Sequence, residues 1–232
     1  MKRIHWSAGA MHSSKRQKRV EEEVVAKNVV AEEDEGGMPP FPFRMNASAS
    51  VYASNNCVYF NDDVTPESIF ALNKELRATA DKMLVIAAVH KHAPQPIWLH
   101  LTTNGGEIYA ALSAIDCIKT LPVPVYTVVD GFVASAGTII SICGAKRFIL
   151  PNAYMLLHEL RSSMWGKFSD INDELVNLKK IMEHIIRLYI EHTGMTRKAL
   201  EKMLTKDLIW DANECLSKGV VDTVFSGYLA HA

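Results

Sequence analysis

Apolar positions change period several times along this chain, and each change marks an element. Cys57–Phe60 (CVYF) is a short run of β-favouring residues and predicts a strand. Thr65-Pro66 then opens a helix, with threonine as cap and proline at the first helical position. Ile69, Leu72, Leu76 and Met83 continue that helix at its own spacing. Ile97–Thr103 (IWLHLTT) predicts a second strand, and a helix from Glu107 to Thr120 buries Ile108, Ala111, Leu112, Ile115 and Ile118. Val123–Val129 predicts a third strand, and the segment after Ser135 a helix capped at Gly144. Arg147–Leu150 and Ala153–Leu160 predict two more strands. From Asp170 to His192 the apolar residues Ile171, Leu175, Leu178, Met182, Ile185 and Tyr189 form one stripe along a long helix that Gly194 ends. A shorter helix follows Thr196, a capping-box-like start appears at Asp211–Glu214, and Val220–Phe225 closes the chain's pattern with a strand. Strands alternating with helices place the fold in the α/β class.

Residues 1–45 break this pattern. A basic block, Lys15–Arg19, stands beside acidic clusters, then Gly36-Gly37 and a group of prolines. Few large apolar residues are available there to offset the entropy of ordering. The reading is a flexible charged arm or propeptide over residues 1–45, ahead of a globular domain over residues 46–232. The basic block reads either as a solvated tail, which the acidic residues close by favour, or as a nuclear-type address or nucleic-acid patch.

Composition narrows the function classes. A formal charge of −1 over 232 residues provides no global field for nucleic acid, which is not an expected partner. Cys57, Cys117, Cys143 and Cys215 are widely spaced, which argues against a zinc cluster and a disulfide framework. The expected compartment is reducing and cytoplasmic. No apolar run approaches the roughly 20 residues that span a bilayer, and no signal-peptide core is seen, so no membrane association is expected.

Two polar residues interrupt the most apolar region, Asp130–Leu160. Ser135 lies between a strand and a helix, flanked by Ala134, Ala136 and Gly137. Free amides at a helix start suit an attacking oxygen and a developing oxyanion, while an ordinary N-cap serine accounts for the same position. The motif is not G-x-S-x-G, because Val133 occupies the first glycine position. In Thr102–Glu107 (TTNGGE), Gly105 and Gly106 can turn amides toward a ligand or simply make a turn. His158 ends an apolar run, either as a core histidine or within reach of the strand end that carries Ser135. Asp207 precedes an apolar patch, where a buried carboxylate needs a partner such as histidine. Asp211 reads as a cap and Asp222 as a strand-end residue.

Taken together and in order, these segments resemble the proteolytic subunit of Clp-type serine proteases, ClpP. NGGE…DGFVASAG…AKRFILPNAYMLLHE follows that family's Ser-Pro-Gly-Gly, Gly-x-Ala-Ala-Ser-Met, Lys-Arg-x-x-Leu-Pro-Asn and Met-Ile-His-Gln-Pro blocks, and KDLIWDANECLSKGVVDTVF follows its C-terminal block. The resemblance covers Val51 to Phe225. It implies Ser135 as nucleophile, His158 as general base, Asp207 as third triad member, and the Gly106 and Ala136 amides as the oxyanion hole. It implies a ClpP/crotonase-like spiral of β-β-α units with a protruding handle helix, matched here by the stripe from Ile171 to Tyr189. It also implies heptameric rings that stack into a chamber, polypeptide substrates, a Clp-type ATPase unfoldase, and no metal or organic cofactor.

The chain departs from the family at several points. Thr103-Asn104 stands for Ser-Pro, Glu159-Leu160 for Gln-Pro, and Lys206 for the arginine beside the triad aspartate. RSSMWGKF (Arg161–Phe168) replaces a glycine-rich strand and is similar to ClpP-like members of phages and large DNA viruses. Two other readings remain open at this point: a catalytically silent ring subunit and a crotonase-fold acyl-CoA enzyme.

Overall fold

The computed structural model describes residues 50–163 and 165–225, so the arm expected over 1–45 and its basic block lie outside the described residues. β1 (Val51–Ser54) and β2 (Cys57–Asn61) form a hairpin with Val51 opposite Phe60, turning at Asn55 with a left-handed backbone of φ 54°. α1 (Pro66–His90) starts as expected: the Thr65 hydroxyl accepts from the Ser68 N–H while Ser68 Oγ receives the Thr65 N–H, a reciprocal cap. β3 (Ile97–Thr103) and α2 (Ile108–Thr120) follow, with Glu107 at the helix cap position.

The next strand is longer than the pattern predicts. β4 spans Val125–Ala134, five residues past Val129, and ends directly against Ser135. Gly131 sits within it at φ 84°, a conformation that favours glycine. This permits an exchange of partners. The first half of β4, Tyr126–Val129, pairs in parallel with β5 (Lys146–Ile149), and the second half, Phe132–Ala134, pairs in parallel with β6 (Tyr154–Leu157). The hydrophobic pattern could not show this, because Tyr126–Val129 and Phe132–Ala134 are both largely apolar.

α3 (Ala136–Ile142) is capped by Cys143 rather than by Gly144. Gly144 is needed for space instead: a Cβ there would lie 2.5 Å from Thr127 Oγ1. The long helix α4 spans Phe168–Thr193 and ends at Gly194 in the left-handed conformation, as expected. α5 (Arg197–Leu204) and α6 (Ala212–Ser217) have the predicted caps at Thr196 and Asp211. Between them β7 (Leu208–Trp210) pairs antiparallel with β6. The final strand β8 is only Thr223–Val224.

The sheet runs β1-β2-β3-β4-β5-β8, with β6 and β7 branching from the far half of β4. One face carries Val58, Phe60, Ile97, Leu99 and Leu101, all buried in one core with residues of α1, α2 and α3. β2, β3, β4 and β6 are parallel, so their C-terminal ends open on one edge. Ligand clefts form at such edges in α/β sheets.

A half-buried arginine ties the last segments to the sheet. Arg147 of β5 donates to the carbonyls of Gly219 (2.9 Å) and His192, and to the Asp222 carboxylate. Asp222, read from sequence as a strand-end residue, is thus an ion-pair partner. Partial burial works to raise its carboxyl, but the hydrogen bonds and charge of Arg147 outweigh it, and the net shift is downward. A depressed folded-state carboxyl stabilises the protein above its unfolded value of about 3.9 and ceases to do so as pH falls through the folded value. Asp222→Asn is therefore expected to lose no more than about 1 kcal/mol at pH 7, since the carboxylate is partly exposed, with the gap between wild type and variant shrinking in urea unfolding as pH falls below about 3.9.

Candidate active site

Three parallel strands deliver the candidate residues to one edge. β3 ends in the loop Asn104–Glu107, β4 ends at Ser135, and β6 ends one residue before His158. A cleft of about 240 Å³ at this edge is lined by Asn104, Gly106, Ser135, Ala136, His158 and Arg161, with Ile108, Ile139, Ile185 and Tyr189 as its apolar wall.

Ser135 occupies the helix cap position without acting as a cap. Its side chain makes no capping hydrogen bond, and its backbone lies at φ 53°, ψ −125°. For a residue with a Cβ this is a strained conformation, maintained only when the surroundings over-determine it. Here they do. The Ser135 N–H donates to Leu156 O (2.9 Å), and the Ser135 carbonyl accepts from both the Thr138 N–H (2.9 Å) and the Thr138 hydroxyl (2.6 Å). Thr138 is in turn 2.5 Å from the buried hydroxyl of Tyr189 on α4. Burial raises the Tyr189 phenol, which stays protonated.

The glycine loop is held against that turn. A Cβ on Gly105 would lie 2.6 Å from Ser135 Cβ and 2.7 Å from Ala134 O. Gly106, at φ 146°, forms a parallel bridge with Val64: Val64 N–H donates to Gly105 O (2.7 Å) and Glu107 N–H to Val64 O (2.8 Å). In such a bridge the flanking groups face Val64, so the Gly106 amide points the other way. Ala136 begins α3, so its N–H precedes the helical ladder.

His158 is half-buried at the cleft rather than packed in the core. Its Nδ1 lies 2.6 Å from the Glu159 carbonyl oxygen. A carbonyl only accepts, so Nδ1 carries the proton and Nε2 holds the lone pair. That tautomer is the one a base needs.

Asp207 departs from expectation. It is exposed rather than buried, and its carboxylate pairs with Arg161 instead of a histidine. The strand pairing nevertheless brings it to the end of the strand pair that carries His158. The antiparallel β6–β7 ladder ends at the Leu157–Leu208 pair, and His158 and Asp207 adjoin that pair on the two strands. Among the described residues neither a Ser135–His158 nor a His158–Asp207 side-chain hydrogen bond forms. Sequence reasoning missed Arg161 and Tyr189 as part of this site. Arg161, three residues past His158, had a visible signal in its place within the atypical segment. Tyr189 had none, since it belonged to an ordinary helical stripe.

The remaining titratable candidates do not converge on the cleft. All four cysteines are buried free thiols, and burial pushes Cys143 up to about 11 and Cys215 up to about 12, so neither is a nucleophile. Among the described residues no group of His, Cys, Asp and Glu has the proximity to hold a metal, and no helix is long and apolar enough to cross a membrane.

Comparison with known proteins agrees with this architecture. The Clp protease family profile matches residues 58–227. The ATP-dependent Clp protease proteolytic subunit 1 of Chlamydia muridarum is 32% identical over 138 residues, covering 58% of this chain and 72% of that protein. Subunit 2 of Treponema denticola is 30% identical over 155 residues, covering 66% of this chain and 77% of its own. Among solved structures, a mutant ClpP1 from Listeria monocytogenes superposes with a TM-score of 0.63 at 24% identity, covering 75% of this chain and 92% of that one.

Proposed function

The chain belongs to the Clp protease family and is a serine-type peptidase, and we propose that it cleaves unfolded polypeptides with Ser135 as nucleophile, His158 as base and Asp207 as the third member of the triad. The observation that carries this reading is the Ser135 backbone. A strained serine, free of any side-chain capping role and braced by Leu156, Thr138 and Tyr189, lines a cleft shared with His158.

In this mechanism His158 Nε2 takes the Ser135 proton as the hydroxyl attacks a peptide carbonyl. The amides of Gly106 and Ala136 stabilise the tetrahedral oxyanion. His158 then protonates the leaving amine, and water hydrolyses the acyl-enzyme. Asp207, paired with Nδ1–H, stabilises the imidazolium. The apolar wall of Ile108, Ile139 and Ile185 supports a medium-sized apolar side chain next to the cleaved bond. The test is covalent: a fluorophosphonate should label Ser135, with the modified residue located by peptide mass spectrometry. Labelling elsewhere, or binding of acyl-CoA in calorimetry, would direct the reading to another chemistry.

Residues 1–45 we assign to a charged arm or propeptide outside the protease domain. Assembly into heptameric rings, and feeding by a Clp-type ATPase, are further parts of the proposal. Assembly is supported by α4. Only Ile185, Ile186, Leu188 and Tyr189 of this helix are buried, all in its C-terminal part, while Phe168, Ile171, Leu175 and Val176 are exposed. A monomer has no reason to expose such a stripe. Ile171→Asp combined with Leu175→Asp is expected to lower the sedimenting mass, and an unchanged mass would remove α4 from the interface.

A further inference from the structure

We propose that Arg161 is a positioning residue that controls the last step of assembling this site: it holds Asp207 away from His158, and the triad closes when Asp207 passes from the Arg161 guanidinium to the His158 Nδ1–H. The inference builds on the assignment of Ser135, His158 and Asp207 above.

The backbone brings the two partners to the same end of one strand pair. Leu157–Leu208 is the last pair of the antiparallel β6–β7 ladder, and His158 and Asp207 are the residues that adjoin it on the two strands. What separates the side chains is the choice of partner. Asp207 Oδ2 accepts from Arg161 Nη2, and His158 Nδ1–H donates to the Glu159 carbonyl at 2.6 Å. Both substitute bonds come from one three-residue segment, Glu159–Arg161. A single rearrangement of that segment frees the imidazole and the carboxylate together.

Charge sharpens the effect. Arg161 lines the cleft that contains Ser135 and His158, and its charge offsets the carboxylate that would otherwise stabilise the imidazolium. Of the flanking charged residues, Glu159 lines the same cleft as Arg161, and Lys206 is next to Asp207 in the chain. Lys206 lines a separate cavity together with Lys202 and Lys218. Arg161 and Asp207 are both more than half exposed, so their pair is weak and exchangeable, which suits a latch and not a permanent brace.

The test compares the full chain with Arg161→Gln and Arg161→Lys, reading the second-order rate at which a fluorophosphonate labels Ser135 across pH and at two salt concentrations. Arg161→Gln should label roughly two- to fivefold faster at neutral pH, in line with the small worth of an exposed pair. The acid limb of its rate profile should shift to higher pH by about half a unit, because the uncompensated carboxylate favours the imidazolium. Raising salt should accelerate wild type and leave Arg161→Gln unchanged, since salt screens the exposed pair. Arg161→Lys, which keeps the charge, should stay near wild type. Equal or slower labelling of Arg161→Gln with an unmoved acid limb overturns the latch alone. Labelling in none of the three proteins overturns the Ser135 assignment and the latch with it.

Discussion

Ser135→Ala is expected to cut peptide hydrolysis by about five to six orders of magnitude, leaving only the residual contribution of binding and the oxyanion donors. The loss should be chemical rather than structural. The Ser135 hydroxyl makes no capping bond, and the bonds that hold this turn run through the backbone to Leu156 and Thr138. Alanine adopts the same φ no less readily than serine, so the melting temperature should move by no more than a few degrees. A short aminocoumarin amide with leucine at the cleaved bond is a suitable substrate, read together with fluorophosphonate labelling. His158→Ala should fall to a similar floor, and the double variant should be no worse than either single one, because residues acting as a unit are not additive. Undiminished cleavage by the Ser135→Ala protein removes the nucleophile and, with it, the mechanism.

Gly106→Ala carries the second-largest effect, a loss of about 10²–10³ in kcat, the usual cost of removing one oxyanion donor. The cause is backbone geometry. At φ 146° an L side chain is strained, and the new Cβ would lie 2.3 Å from the Val64 carbonyl oxygen. That carbonyl accepts the Glu107 N–H, so it cannot yield without breaking the bridge between Val64 and the loop. The loop must rotate, and the Gly106 amide turns with it. Because the bridge also joins the start of α1 to the site, a fall in stability of about 1–3 kcal/mol should accompany the kinetic loss. The two are separated by measuring kcat below the urea transition of the variant. A kcat within threefold of wild type in folded protein rules out Gly106 as an oxyanion donor.

Some of this site was legible in the sequence for local reasons. Ser135 stood out because a polar residue between alanines interrupts an apolar run, and His158 because it ends one. The glycine pair was readable as a turn, yet its reason was not. Gly105 is small because Ser135 Cβ and Ala134 O lie against it, and Gly106 because Val64 O does, contacts far apart along the chain. Asp207 was expected to be buried with a histidine and was found exposed with Arg161. An apolar flank suggests burial, but Leu208 and Ile209 are themselves exposed on β7, so that inference failed at its premise.

The long helix shows the same division. Its stripe and its end at Gly194 were visible as a period and a cap, whereas the exposure of its first half depends on how far α3 and α5 reach along it. The chain alone determined the order and type of the elements from β2 onward, β7 excepted, and several helix ends, at Thr65, Thr196, Asp211 and Gly194, because caps, turns and apolar spacing act between residues a few positions apart. It also determined that Ser135 and His158 belong to strand ends. Only the tertiary structure decided that β4 divides its pairing between β5 and β6, that a strained turn turns Ser135 toward a cleft, and that Arg161 and Glu159 occupy the partners a triad would use. Those outcomes are competitions among groups distant in sequence, and a linear pattern records the competitors without recording which one prevails.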